Sequence, residues 1–320
     1  MRFTKYLVLF GLILFIFVLY SVGPIAILEN LAKIDPTLFA VVLILLLPSI
    51  LLKSFKQQIL VRALGKHISL IESTKIWLIG FFFGAVTPAK AGDFLRTLYL
   101  KRSVGLPIGS GLAATAVERV FDLLFLFFAA LIGLILFSLH YSIDMSIVFL
   151  LIVFLAAFFL SLFVLTRKKW VVFLLRPIFN FLLPEKFKQK FKSSFHEFYD
   201  AMGILTGNKK AVGLVAFVTI ASWLFIIFQF YLIAVSLGIP VSFWFILSVM
   251  PAILLIEVLP ISFAGIGTRD ATAIFFLSFA GVAAAASVSF SLAILSINIL
   301  TAAIGVAAVG GFKEKRVVGL

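Results

Sequence analysis

Thr87-Pro88-Ala89-Lys90-Ala91-Gly92-Asp93 breaks into an apolar stretch at residues 76–100, and Pro260-Ile261-Ser262-Phe263-Ala264-Gly265-Ile266-Gly267-Thr268-Arg269-Asp270 breaks into another at residues 242–280. Proline removes a backbone donor and glycine loosens a helix, so neither stretch reads as one continuous helix. Each break falls in mid-segment and carries charge. What that means depends on the solvent. In lipid, broken backbone persists only where protein buries it or where it lines a wet cavity.

The solvent is lipid. Of 320 residues, 63% are hydrophobic and 12% are charged, against roughly 45–50% and 25% in soluble domains. Thirty-nine are Phe, and mean hydropathy is +1.25. A soluble fold of this size has no interior large enough to hide that much apolar surface. The composition excludes a disordered chain, a secreted disulfide scaffold and an ordinary cytosolic enzyme. Cys is absent and His67, His140 and His196 are scattered, so no metal site and no cofactor are expected. The formal charge of +14 reads as basic loops against anionic headgroups rather than as a nucleic-acid surface.

A hydrocarbon core of about 30 Å takes about 20 helical residues. Six stretches qualify: 6–23, 37–52, 110–139, 146–166, 211–237 and 283–310. The first follows Arg2 and Lys5 but lacks a convincing small-residue cleavage site, so it reads as a retained span. Cations orient the set. With the N-terminus in the cytoplasm and both broken stretches taken as re-entrant hairpins, 22 of the 27 Lys and Arg fall on the cytoplasmic side. They include Lys53, Lys56 and ten in residues 167–210. Counting either hairpin as a single span turns basic loops outward, against the positive-inside bias. The expected fold is an all-α polytopic protein of the cytoplasmic membrane. It has six full spans plus two re-entrant, broken-helix hairpins, with both termini cytoplasmic. Residues 167–210, and more briefly 53–70, mix aromatic and basic side chains as interfacial amphipathic helices do.

The spans divide near residue 142. Residues 1–141 read span, span, hairpin entering from the cytoplasm, span. Residues 142–320 read span, span, hairpin entering from outside, span. That is an inverted repeat, the arrangement of secondary transporters, with the substrate site at the repeat interface. Lys90, Asp93, Arg96, Glu118, Arg119, Asp122, Glu257, Arg269 and Asp270 fall at membrane depth. Each costs at least about 2.5–3.5 kcal/mol to insert, so each is expected to pair or to face water. Lys90, Arg96 and Arg269 are candidates for holding a phosphate, helped by free N–H groups at the half-helix starts. Asp93, Glu118, Arg119, Asp122, Glu257 and Asp270 are expected to form a gating charge network. Glu118 and Asp122, four apart on one helix face, need a cation between them, which Lys90 or Arg96 of the first hairpin can supply. A purely structural staple and a proton relay are the alternatives. Thr87, Pro88, Gly92, Pro260, Ser262, Gly265 and Gly267 mark the hairpin breaks.

Three motifs stand in order: Thr87-Pro88-x-x-x-Gly92-Asp93-x-x-Arg96, Glu118-Arg119-x-x-Asp122 and Pro260-x-Ser262-x-x-Gly265-x-Gly267-x-Arg269-Asp270. Over nearly its whole length the chain resembles the lysylphosphatidylglycerol synthase transmembrane region family, the flippase-like membrane domain of multiple peptide resistance factors. That family usually carries Glu where this chain has Asp93 and Asp270, and often Gly-Gly at Ala264-Gly265. The resemblance implies a flippase or transporter that moves an anionic phospholipid or a polyprenyl-phosphate-linked lipid, with membrane lipids as partners. No Walker-type phosphate loop accompanies the motifs, so neither ATP-driven pumping nor an enzymatic activity of its own is expected. Two readings from other classes stand beside it. One is a non-transporting partner of a lipid-modifying transferase. The other is an integral-membrane lipid-modifying enzyme built on Glu118 and Asp122.

Overall fold

A computed structural model describes residues 2–142, 144–166, 185–258, 262 and 265–311. Among them the regular structure is entirely helical. In chain order it comprises α1 (Arg2–Val22), α2 (Pro24–Leu31), α3 (Pro36–Ala63), α4 (Leu70–Ala85), a 3-10 turn (Pro88–Leu95), α5 (Arg96–Val104) and α6 (Ile108–Ser138). There follow α7 (Met145–Thr166), α8 (Glu185–Gly207), α9 (Lys209–Ser236), α10 (Phe243–Val258), α11 (Thr268–Ser278) and α12 (Ala284–Gly310).

Helices α3, α6, α7, α9 and α12 each carry an apolar window long enough to cross a membrane. The pair α1–α2 makes a sixth if counted as one span, although it bends by 83°. The bend has a local cause: Gly23 takes φ 93 and Pro24 opens the next helix. Local chemistry sets other boundaries too. The Asp35 carboxylate accepts hydrogen bonds from the Thr37 and Leu38 N–H groups to start α3, and Gly105 at φ 65 stops α5. Large apolar side chains cover the outside, as with Ile44, Phe149 and Phe217. Only a lipid solvent tolerates such a belt.

The helices beside the two breaks are short. Helices α5 and α11 have 9 and 11 residues, which at about 1.5 Å per residue reach only half-way through a ~30 Å hydrocarbon core. Helix α3 packs on α9, α4 on α12, and α6 on α10, while α5 leans on α6 and α11 on α12. Glycine permits the closest of these approaches. A Cβ at Gly133 would overlap the Ser248 carbonyl of α10, and one at Gly305 would overlap the Leu78 carbonyl of α4. Gly133→Ala is therefore expected to cost about 1–3 kcal/mol by forcing α6 off α10. Thermal unfolding in detergent checks this against Gly213→Ala, where a Cβ meets nothing within 4 Å.

One expectation needs correction. Lys53 and Lys56 do not face headgroups from an amphipathic surface; protein buries both. Helix α3 continues through them, and Lys53 and Lys56 are 7% and 0% exposed. The physical reason is that the polar groups there find partners inside the protein. Gln57 donates to Ser73 and Gln58 to the Ile68 carbonyl. In the stretch 167–210, residues 167–184 lie outside the described residues. The remainder forms α8, whose Ala201 and Leu205 are buried against α6 and α9. Its Glu197 accepts from the Gly109 N–H, capping the start of α6. Pro260 likewise lies outside the described residues.

Candidate functional site

The first break is shaped by Thr87 and Gly92. The Thr87 hydroxyl donates to the Phe83 carbonyl and accepts from the Gly92 N–H at 2.7 Å. A Cβ at Gly92 would overlap the Phe83 carbonyl, so glycine lets the turn fold back against α4. Two glycines one turn apart on α4 then receive the charges of the returning arm. Gly80 faces the Arg96 side chain and Gly84 faces the Asp93 carboxylate. Pro88 opens the 3-10 turn, and Lys90 within it has φ 54. A left-handed lysine costs on the order of 1–2 kcal/mol, and among the described residues no other non-glycine has positive φ.

Those charges are paired across elements. Arg96 donates to Glu118 Oε2 at 2.6 Å and to Thr115 Oγ1 at 3.3 Å. Arg119 pairs with Asp93 and stands 4.0 Å from Asp122 Oδ2. Asp122 Oδ1 also accepts from Lys53 Nζ at 3.0 Å, Lys56 Nζ at 2.6 Å and Trp223 Nε1 at 2.8 Å. The Lys53 ammonium lies 4.0 Å from the centre of the Trp223 ring. On the far side, Glu257 takes Lys90 Nζ at 3.3 Å and Arg269 Nη1 at 3.3 Å, and Arg269 Nε donates to Ser291 Oγ at 2.9 Å. Lys90 thus ties the first break to the helix that enters the second.

These groups surround a cavity of ≈ 140 Å³, room for about four waters at roughly 30 Å³ each. Lys53, Lys90 and Arg119 line it together with Glu118, Asp122 and Glu257. Trp77, Trp223, Ile294 and Ile297 supply apolar wall, and Gln229, Asn298 and Thr301 add neutral polar groups. In the ion pairs of the described residues, the cations Lys53, Lys56, Lys90, Arg96, Arg119 and Arg269 face the carboxylates Asp93, Glu118, Asp122 and Glu257. The formal surplus is two positive charges, or one if Asp270 is counted. Buried charge without a counter-charge is expensive, so the excess favours an anion.

The expected site residues thus divide. Lys90, Glu118, Arg119, Asp122 and Glu257 meet at the cavity. Arg96 and Arg269, each 1% exposed, lie behind its wall and hold Glu118 and Glu257. The Glu118–Asp122 pair takes Arg96 on one carboxylate, as the first hairpin can supply, but the other takes Lys53 and Lys56 of α3 and, at 4.0 Å, Arg119 of α6 itself. Asp270 stays at its own helix start, where Oδ2 accepts from the Gly267 N–H at 2.8 Å. Ser262 bonds the Thr268 hydroxyl at 2.7 Å, and Gly265 at φ 77 lies against Glu257. Glu118 Oε1, Arg119 Nε and Arg269 Nη2 are buried without a hydrogen-bond partner among the described residues, so the cluster keeps unused capacity. Lys53, Lys56 and Trp223 belong to the site although the sequence reading assigned the two lysines elsewhere. Helix α3 runs from Pro36 to Ala63 through Pro48, and nothing local in the sequence marks the two lysines as part of the site.

Comparison with known proteins bears out the family resemblance. A 320-residue alignment with a UPF0104 membrane protein of Methanothermobacter thermautotrophicus is 24% identical and covers 96% of this chain and 94% of the relative. A UPF0104 membrane protein of Methanocaldococcus jannaschii is 26% identical over 300 residues, covering 89% and 87%. The glycosyltransferase AglD of Haloferax volcanii is 33% identical over 118 residues, which is 37% of this chain and 19% of that protein. No solved structure matches. The family model for the lysylphosphatidylglycerol synthase TM region matches residues 4–305. With its apolar helices and its three motifs, the chain belongs to the lysylphosphatidylglycerol synthase transmembrane region family of multi-pass membrane proteins.

Proposed function

We propose that this protein moves an anionic phospholipid or polyprenyl-phosphate-linked lipid across the cytoplasmic membrane, holding the phosphate in the cavity between the two hairpins. The observation that carries the proposal is the cavity where Lys53, Lys90 and Arg119 meet Glu118, Asp122 and Glu257, backed by a buried ion network that holds more cations than carboxylates. Lys90, Lys53 and Arg119 are the groups within reach of a headgroup. Arg96 and Arg269 steady the carboxylates behind them. When a phosphate takes Lys90, Glu257 keeps Arg269, whose Nη2 still has a free hydrogen. The exchange leaves no carboxylate stranded, and each charge pair stays weak enough to release its guest. The hydrocarbon tail remains in lipid throughout.

Rocking one half against the other would carry the headgroup. Six spans, two re-entrant hairpins and an inverted repeat with both termini cytoplasmic form the frame for that motion. Three features support the repeat. The same offset of 173 positions relates Arg96 to Arg269, Gly92 to Gly265 and Glu118 to Ser291. Arg96 bonds Glu118 as Arg269 bonds Ser291. Helices α6 and α12, each following a short arm, pack by a glycine against the first arm of the other half.

A bridge between residues 90 and 257 should arrest this motion. In the Cys-free chain, Lys90→Cys with Glu257→Cys joined by a short bis-maleimide is expected to abolish the slowed transfer that the same double variant retains before cross-linking. Undiminished transfer in the bridged protein would count against rocking about this contact. A second reading is favoured by the similarity to AglD, a named glycosyltransferase. There the chain serves a lipid-modifying transferase without moving lipid itself, and purified protein alone would transfer nothing across liposomes.

A further inference from the structure

A second hollow lies away from the charge cluster. It measures ≈ 520 Å³ and runs between α6 and the start of α10, with Leu224 of α9 at its edge. Phe125, Ala129, Ile132, Gly133, Leu136 and Phe137 supply one wall, a single face of α6. Its outer end carries His140, Tyr141 and Trp244, amphipathic rings that mark a membrane–water interface. Its inner end is Phe125. That ring stacks on Trp223 with centroids 6.2 Å apart and planes 6° from parallel, and Trp223 forms wall of the ionic cavity.

We infer that this groove is a binding site for one hydrocarbon chain of a membrane lipid, with its headgroup at the aromatic rim and its end against Phe125. Dimensions argue for that occupant. From Phe125 to Phe137 the α6 wall rises about 18 Å, close to one leaflet of a ~30 Å core. A helix about 10 Å across and as long as the groove would fill roughly 1,400 Å³, far more than the ≈ 520 Å³ present. A methylene takes about the ~30 Å³ of a water molecule, so about seventeen fit. The groove itself opens toward lipid: Ile132, Leu136 and Trp244 on its wall and rim are 57%, 50% and 72% exposed. The site stands on its own apolar geometry, so it holds a chain whether or not the protein transports lipid. Its position does join the two cavities, because a chain pressing on Phe125 bears through that stacked ring on Trp223, the partner of Asp122 and Lys53.

The test uses the full chain in nanodiscs containing a phospholipid with a diazirine in mid-chain, irradiated and mapped by mass spectrometry. Adducts are expected to concentrate in residues 125–141 and 242–248. They should be competed by unlabelled phospholipid if the site prefers straight acyl chains, or by an isoprenyl phosphate if it prefers branched ones. Ala129→Trp should lower labelling about tenfold, equivalent to excluding roughly two methylenes. Leu247→Trp, on the opposite wall, serves if that variant does not fold. Labelling of the exposed α7 face at Phe149 and Phe154 should not change. Adducts spread evenly over α7 and the groove, insensitive to competitors and to both tryptophans, would overturn the site. So would efficient oxidative dimers of Ala129→Cys, which would mean that a second copy covers the groove.

Discussion

Asp122→Ala is expected to destabilise the protein by about 3–5 kcal/mol, the usual cost of removing one partner from a buried ion pair. One carboxylate oxygen serves Lys53, Lys56 and the Trp223 indole. Lys56 has no exposed surface, so it has no access to solvent when the anion goes. Loss of Lys56 alone should be milder, because Asp122 keeps Lys53 and Trp223. Replacing the trio by Lys53→Met, Lys56→Met and Asp122→Leu should recover most of the stability, since apolar substitutes remove the desolvation cost along with the attraction. Thermal unfolding of the purified variants by circular dichroism measures all three. Equal stability of Asp122→Ala and the parent would show that the carboxylate is not the anchor of α3 against α6.

Arg96→Ala should cost a similar amount, about 3–5 kcal/mol, for a related reason. Arg96 and Glu118 are each 1% exposed, and Glu118 Oε1 already lacks a partner. Without the guanidinium the carboxylate loses the hydrogen bond to its Oε2 and keeps an unpartnered Oε1. Arg96→Met with Glu118→Leu should refold well. That double variant also separates two roles. If Arg96 only holds the short arm to α6, the folded double variant keeps much of its lipid transfer. If the guanidinium meets the phosphate, transfer is lost in a stable protein.

The breaks and their charges are legible in the sequence because proline, glycine and ionised groups inside an apolar run admit few physical solutions. Thr87, Gly92 and Gly265 can be read as turn residues before any coordinate is known, and a hairpin that directly precedes α6 points to Lys90 or Arg96 as a partner for its carboxylates, of which the structure gives Arg96 to Glu118 and Lys90 to Glu257. Lys53 and Lys56 are hidden by the same rule that makes topology readable. Near the end of an apolar helix, lysines look like headgroup anchors, and nothing local distinguishes that from a buried partner for a carboxylate 66 residues later. The role of Gly80 and Gly84 is equally invisible. Glycines are common in membrane helices, and only the returned arm reveals that these two seat Arg96 and Asp93. Trp223 joins the site from another helix altogether, which spacing along the chain cannot disclose.

The most direct measurement is lipid transfer in liposomes, following dithionite access to fluorescent phosphatidylglycerol with reconstituted parent protein and Lys90→Ala. Faster protein-dependent transfer of phosphatidylglycerol than of a zwitterionic lipid is expected. Lys90→Ala should bind the anionic lipid about 10- to 100-fold more weakly, the loss of one charge-assisted hydrogen bond, and slow its transfer. Folded protein that transfers no labelled anionic lipid, or that works equally well without the Lys90 ammonium, would contradict the assignment of the cavity at Lys90 as the headgroup site.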